Sequence, residues 1–316
     1  MKNLVVIYNQ DDWSGSSPIL SDSTREAFEV WHQRGQDVSI NFFRAHIEWY
    51  DEATNTFEKA WMFRDHQWQK MTNSITPDLV FDKVAGKYDY LYFDIKMRMA
   101  QKVKVFNHPL FRTLLDNKLS QYLFFKAFMA PSFLAHNEDD LREAFLKIPG
   151  LKAVLKPLYG SGGKGILIEE KTLLLQKVSD FPLLVQEFVE AGGIPQFSAA
   201  GDLADLRLIY INHELIYAIS RIAQSGSLFT NFHQGATAKM VPLDKIPENA
   251  LLLASQIIEK LRVFPEANYA LDFMFDQSEK PFLVEMNTTP GFDLLHVFGD
   301  EATNEKYFQA FTQLIP

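Results

Sequence analysis

The chain has 316 residues, 47% of them hydrophobic and 22% charged, which is enough apolar material for a buried core in two or three subdomains and too much for a disordered chain. Its formal net charge of −9 argues against a general nucleic-acid binder, and the absence of cysteine excludes disulfides, a cysteine nucleophile and thiolate-bound zinc. No run approaches the roughly 20 apolar residues of a membrane helix, and the short apolar stretch in MKNLVVIYNQDDW does not make a signal peptide, so the expectation is a cytoplasmic protein without membrane or nucleic-acid partners.

In chain order, Leu4 to Tyr8 reads as a buried strand and Ser21 to Gln33 as a helix. Strands are expected at Asp37 to Phe43, Asp78 to Phe81, Tyr88 to Phe93 and Val103 to Phe106. This alternation predicts an α/β domain over residues 1–106. It holds all five tryptophans, Trp13, Trp31, Trp49, Trp61 and Trp68, which are read as fillers of a small core. From Asn107 the texture changes. HPLFRTLLDNKLSQYLFFKAFM is expected to be one helix and MAPSFLAH an extended segment. Strands follow at Leu151 to Lys156, Gly165 to Glu169 and Leu183 to Phe188, then a loop over Ala191 to Ala204. Leu206 to Ile211 and Leu215 to Ser220 form a predicted hairpin across Asn212, His213 and Glu214. A helix over Ala250 to Leu261, strands around Leu271 and Leu283 and a last helix complete the chain. The second and third domains are placed at residues 107–190 and 191–316.

Gly160, Ser161, Gly162, Gly163, Lys164 and Gly165 match GxGxxG, but neither usual setting of that pattern fits. Gly165 is followed by Ile166 rather than by Lys-Ser/Thr, and GILIEE reads as a strand rather than as the start of a helix. What remains is a flap between strands, whose glycines allow backbone N–H groups to approach phosphate oxygens. Lys156 lies in the apolar strand before it and is costly to bury without an anion. Asp272 sits in YALDFMF, and Glu285 and Asn287 in FLVEMNTTPGF. Residues 285 and 287 share a face of a strand, and two carboxylates with an amide oxygen are the hard donors that Mg²⁺ prefers. Asp205-Leu206-Arg207 opens one hairpin strand and Arg221 closes the other. The two arginines are expected to face each other, as forks for phosphate or carboxylate oxygens. A glycine-bracketed loop, Gly226 to Gly235, carries Phe229, Asn231, Phe232 and His233.

The run DNK, VLKPLYGSGGKG, VQEFVE, DLR, SR, TNFHQGA, LDFMF and VEMNTTPG resembles the ATP-grasp superfamily over residues 107–297, most closely its branch with glutathione synthetase and the RimK-like ribosomal-protein glutamate ligases. The endospore coat-associated ATP-grasp proteins are a further candidate relative. The resemblance implies an ATP-grasp fold of mixed α/β and α+β build, preceded by an N-terminal α/β pre-ATP-grasp domain. It implies that Lys118 and Lys156 contact ATP phosphates under the flap of Gly160, Ser161, Gly162, Gly163 and Gly165. Gln186, Glu187, Phe188 and Val189 would edge the adenine, and Glu190 would reach the ribose. Asp272, Glu285 and Asn287 would hold Mg²⁺, with Mn²⁺ as an alternative, and Arg207, Arg221 and Asn231 would lie by the transferred phosphate. The implied activity is an ATP-dependent ligation of a small-molecule or peptide carboxylate to an amine through an acyl phosphate. A homo-oligomer is compatible with it. The alternatives are a small-molecule kinase on the same clamp and a non-catalytic ATP-binding module. Phe229 and Gln234 stand where the glutamate ligases have Arg, and Ala236 where they have Gly, which tells against glutamate or another multiply anionic substrate.

Overall fold

The computed structural model describes residues 1–316 except Asp11, Lys87, Ser161, Ala200, Gly201, 231–234 and Phe292, and gives no side chains for Tyr88 and Asp89. The sequence calls on Ser161, Asn231, Phe232, His233 and Gln234 therefore lie outside the described residues.

The N-terminal part of the fold is built on β1 (Lys2–Tyr8), α1 (Asp22–Asp37) and β2 (Ile40–His46). After β2 come a two-rung ladder of β3 (Tyr50–Asp51) and β4 (Thr56–Phe57), then β5 (Ala60–Arg64), β6 (Gln67–Met71) and β7 (Leu79–Asp82). Next are α2 (Tyr88–Leu91), α3 (Phe93–Ala100) and β8 (Lys104–Phe106). The sheet runs β6-β5-β2-β1-β7-β8, with β2, β1, β7 and β8 parallel. Alternation along β1 sends Leu4 and Val6 to one core with Phe28 and Trp31, and Val5 and Ile7 to another with Trp49 and Trp61. Trp31, Trp49 and Trp61 are buried and Trp13 and Trp68 pack against these cores, as core-filling rings should.

The expected strand over Tyr88 to Phe93 is a helical segment instead. In α3, Lys96 and Met99 are the buried residues; they lie three apart, on one helical face. The fully buried Lys96 ammonium pairs with Asp82 Oδ2 at 2.7 Å. The single helix expected from His108 is also broken, into α4 (Pro109–Leu115) and α5 (Lys118–Phe125). Asn117 ends the first run by capping the second: its Oδ1 accepts from Leu119 N and Ser120 N at 2.9 and 3.2 Å.

A second sheet, β11-β10-β12-β9, comprises β9 (Ser132–Ala135), β10 (Lys152–Pro157), β11 (Leu167–Glu170) and β12 (Leu183–Glu187), backed by α6 (Glu138–Lys147) and α7 (Lys171–Lys177). Ala153, Leu155, Leu183 and Val185 pack towards α6. The third sheet, β15-β14-β13-β16-β17, comprises β13 (Ala204–Ile211), β14 (Glu214–Ile222), β15 (Thr237–Val241), β16 (Asn268–Phe275) and β17 (Pro281–Asn287). The predicted hairpin turns at Asn212 and His213, whose φ values of 51° and 68° suit a two-residue turn. Leu206, Leu208, Leu271 and Phe273 cover one face with α8 (Glu248–Leu261). On the other face, Ile209, Ile211, Tyr217, Ile219 and Ala270 meet the N-terminal sheet and Tyr307, Phe308 and Phe311 of α10 (Glu301–Thr312). A short α9 (Asp293–Phe298) precedes α10.

Candidate active site

The face of the third sheet that carries Ile209, Ile219 and Ala270 carries charge at its other end. By the two-residue strand period, Asp205, Arg207, Arg221 and Asp272 lie on that face. Register sets the pairs: Asp205 is opposite Arg221, Arg207 opposite Asp272, and Asp272 opposite Glu285. Arg221 thus faces Asp205 rather than Arg207, correcting the expected pairing; the two arginines converge instead on Asp272. Arg207 Nε and Nη2 donate to the Asp272 oxygens at 2.7 Å each. Arg221 grips Asp205 in the same bidentate way and donates to Asp272 Oδ2 at 2.8 Å. Thr230 Oγ1 adds a further hydrogen bond to Asp205.

These are buried charges, so their pairing decides their ionisation. Burial pushes the Asp272 carboxyl up, but the Arg207 and Arg221 guanidinium groups more than reverse this and hold it below its ordinary value. Burial and the neighbouring Asp272 carboxylate leave the Asp205 carboxyl raised despite its fork to Arg221.

In β17 the pairing shifts register beside Asp272. Leu283 and Met286 enter the core while Val284 and Glu285, adjacent in sequence, both line the cleft. A bulge re-aims a side chain in this way, and here it turns Glu285 towards the second sheet. Lys118 is the first residue of α5. Its ammonium lies 3.1 Å from Glu285 Oε1 and donates to the Gly160 carbonyl at 2.6 Å, tying helix, flap and β17 together. Lys156 is buried, with Nζ 3.4 Å from the Val284 carbonyl. Burial draws its ammonium down to about 8; Glu285 opposes the shift and Lys118 adds to it.

The second and third sheets face each other across a cleft that opens to solvent. Its apolar walls come from Val154, Ile166, Ile168, Met274, Phe282 and Val284, and its polar floor from Lys156, Asp205, Arg221, Asp272 and Glu285. Gln186, Glu187, Phe188 and Val189 form one edge, as their place at the end of β12 requires. The Gln186 amide itself turns to Ser132 Oγ at 3.0 Å. Glu190 is not brought to this cleft; its carboxylate accepts from Gln277 Nε2 at 2.9 Å. Gly160, Gly162, Gly163 and Gly165 all have positive φ, between 66° and 120°, a conformation cheap only for glycine. Asn287 is two residues beyond Glu285 at the end of β17, and its Oδ1 accepts from Thr289 N at 2.9 Å. Among the described residues, no three Asp, Glu or His gather as a metal cluster; the candidate set is two carboxylates and one amide. Sequence reading gave Asp205 and Thr230 no separate role and missed the apolar walls. The i, i+2 spacing of Asp205 and Arg207 was the available signal for the first.

Three sheets with a cleft between the last two define the ATP-grasp fold, and solved structures agree over nearly the whole chain. D-alanyl-alanine synthetase A from Vibrio cholerae O1 biovar eltor superposes with a TM-score of 0.63 at 15% identity, covering 99% of this chain and 98% of that one. A RiPP-associated ATP-grasp ligase from Chryseobacterium gregarium, solved with ADP and a leader and core peptide, gives 0.61 at 13% identity, covering 100% and 96%. A probable alpha-L-glutamate ligase 1 from Hahella chejuensis is 26% identical over 166 residues, 50% of this chain and 49% of that protein. The chain thus spans about half the length of the curated relatives it matches. The model of the RimK-like ATP-grasp domain matches residues 117–303, more than half of the chain, and the chain belongs to that family.

Proposed function

We propose that the protein is an ATP-dependent carboxylate–amine ligase. The observation that carries this reading is the meeting of Lys156, Arg221, Asp272 and Glu285 in one cleft beside an apolar slot, with Lys118 paired to Glu285 and Arg207 to Asp272. The slot between Val154, Ile168, Met274 and Phe282 has the walls that a purine ring needs. Lys118 and Lys156 supply buried positive charge next to it, and the burial that lowers Lys156 is a cost that a bound phosphate would offset. By the same logic the glycine loop of residues 160–165 forms the flap, and residues 107–190 and 191–316 are the two halves of the clamp behind an N-terminal domain of residues 1–106. Glu190, bonded to Gln277, lies outside the lining of this slot.

Asp272 and Glu285, directly opposite on neighbouring strands, with Asn287 close by, have the donor chemistry for Mg²⁺ or Mn²⁺. Their oxygens are held by Arg207, Arg221 and Lys118, so the residues fit the ion once these cations turn to phosphate. The ion, when bound, supplies Lewis-acid stabilisation of phosphate oxygens. The rest falls to the chain's own groups. Lys118 and Lys156 bind and orient the nucleotide, and Arg207 and Arg221 neutralise charge on the transferred phosphoryl group and the substrate carboxylate. Leu228 and Phe229 border the cleft and exclude water from a hydrolysable acyl phosphate. The amine then displaces phosphate and an amide forms. A screen of ADP release over pairs of carboxylic acids and amines tests the reading. A signal requiring both partners supports it; release that tracks a phosphorylated alcohol replaces it with a kinase.

A further inference from the structure

The C-terminal edge of the N-terminal parallel sheet holds a second cationic site. On β2, β1 and β7, three adjacent strands, Arg44, Tyr8 and Lys83 lie on one face. Arg44 shares parity with Phe42, Tyr8 with Leu4 and Val6, and Lys83 with Phe81, and all four of these apolar partners belong to one core. Lys83 continues the ladder just past β7, its N–H donating to Ile7 O at 2.9 Å. The order β2-β1-β7 places β1 at the point where the chain, having left it on one side through α1, returns on the other. Crevices at the carboxyl ends of strands at such a point are where open α/β sheets take ligands.

Arg44 is the informative residue. Its guanidinium carbon lies 4.0 Å from the centre of the Tyr8 ring and 5.3 Å from that of Phe28. Its Nε is buried with no hydrogen-bond partner. No carboxylate forms an ion pair with it among the described residues. The nearest candidate, Asp12, spends Oδ1 on Tyr8 OH and Trp61 Nε1 at 2.8 and 2.9 Å. Tyr8 and Asp12 favour its charge, but burial is the larger effect and pulls its guanidinium down from the ordinary value. Both Arg44 and Lys83 keep part of their surface exposed.

Lys83 joins this site to the segment that follows β17. Lys83 Nζ donates to the Thr289 and Pro290 carbonyls at 3.2 and 3.1 Å, in the segment that leaves β17 immediately after Asn287. Its ammonium senses Arg112, Asp293 and Arg44 together, and burial brings it down to about 7.

We propose that Arg44, with Lys83 beyond the Tyr8 ring, binds a carboxylate of the substrate that does not react, so that the substrate is an acid or amino acid carrying such a group. This deepens the ligase reading and rests on it. The expectation against a multiply anionic substrate rests on Phe229 and Gln234 alone, and Arg44 lies outside that loop. Guanidinium with carboxylate is a planar match that an amide does not reproduce.

The test uses the full chain with Mg-ADP, and glutarate as probe against its uncharged diamide, by isothermal titration. Wild type is expected to bind glutarate at least tenfold more tightly than the diamide. Arg44→Met should weaken glutarate at least tenfold, and Arg44→Lys should recover part of the loss. The rise in melting temperature with Mg-ATP should be the same in wild type and Arg44→Met. Absence of glutarate binding, no preference over the diamide, or equal binding by Arg44→Met overturns the anion site. If wild type shows no nucleotide-induced shift at all, the ligase reading itself fails, and the two failures are distinguishable. Should Arg44→Met not fold, the wild-type contrast between glutarate and diamide and the Arg44→Lys variant decide the matter.

Discussion

Lys156→Met separates what the nucleotide site needs from what the fold needs. The Lys156 side chain is buried, at 6% exposure, and its ammonium is displaced from 10.5 to about 8, first by burial. A lowered lysine value means that the folded state resists the charged form. Below pH 8 the lysine is protonated in both states, and the folded state bears the full cost. Between pH 8 and 10.5 the folded state releases its proton first, so that cost fades as pH rises. At about 1.36 kcal/mol for each tenfold step in proton affinity, the penalty at pH 7 is on the order of 3 kcal/mol, with the opposing pull of Glu285 already included. Methionine fills nearly the same volume without a charge. The variant without ligand should therefore be more stable than wild type at pH 7, by roughly 1–3 kcal/mol, with the advantage shrinking towards pH 10. The nucleotide effect should run the other way. Mg-ATP at 100 times its dissociation constant stabilises wild type by about 2.7 kcal/mol, and most of this should vanish in the variant. Urea unfolding at pH 7 and pH 10, with and without Mg-ATP, reads both. A variant less stable than wild type at pH 7, or one that keeps the full nucleotide effect, refutes the argument.

Glu285→Gln keeps the shape but removes the charge that pairs with Lys118. Turnover should fall at least about 10²-fold, since metal stabilisation of the transition state is worth several kcal/mol; steady-state kinetics across a Mg²⁺ titration show it, and unchanged Mg²⁺ dependence counts against the metal assignment. Asp205→Ala leaves Arg221 only its bond to Asp272, and chemical denaturation should show a loss of roughly 3 kcal/mol, the lower end for a broken buried pair. A loss below about 1 kcal/mol would mean the pair is solvated. Phe229→Ala should raise the ratio of phosphate released to amide formed, because water gains access to the acyl phosphate; an unchanged ratio leaves Phe229 as packing alone.

The strands around the cleft were legible because apolar runs such as Val154–Leu155 and Tyr269–Phe273 are bounded by turn residues and interrupted by single charges that a buried strand has to explain. The same argument found Lys156, Asp272 and Glu285. Sequence did not reveal who neutralises whom. That Asp205 rather than Arg207 lies opposite Arg221 follows from hairpin register, and that Glu285 turns into the cleft beside Val284 follows from a bulge; both are properties of strand pairs. The segment Tyr88 to Phe93, which forms α2 and the first residue of α3, reads as a strand because aromatic residues favour strands, and the buried Lys96–Asp82 contact that anchors α3 joins distant residues. Arg44 and Lys83 gave no signal at all, since only the strand order β2-β1-β7 makes them neighbours.

In the proposed reaction a carboxylate of the substrate takes the γ-phosphoryl group of ATP before the amine attacks. The most direct measurement supplies the acid labelled with ¹⁸O in its carboxyl group and follows the label by mass spectrometry. Transfer through an acyl phosphate puts one ¹⁸O in each molecule of phosphate released and leaves one in the amide. Amide formed together with phosphate free of label would contradict it.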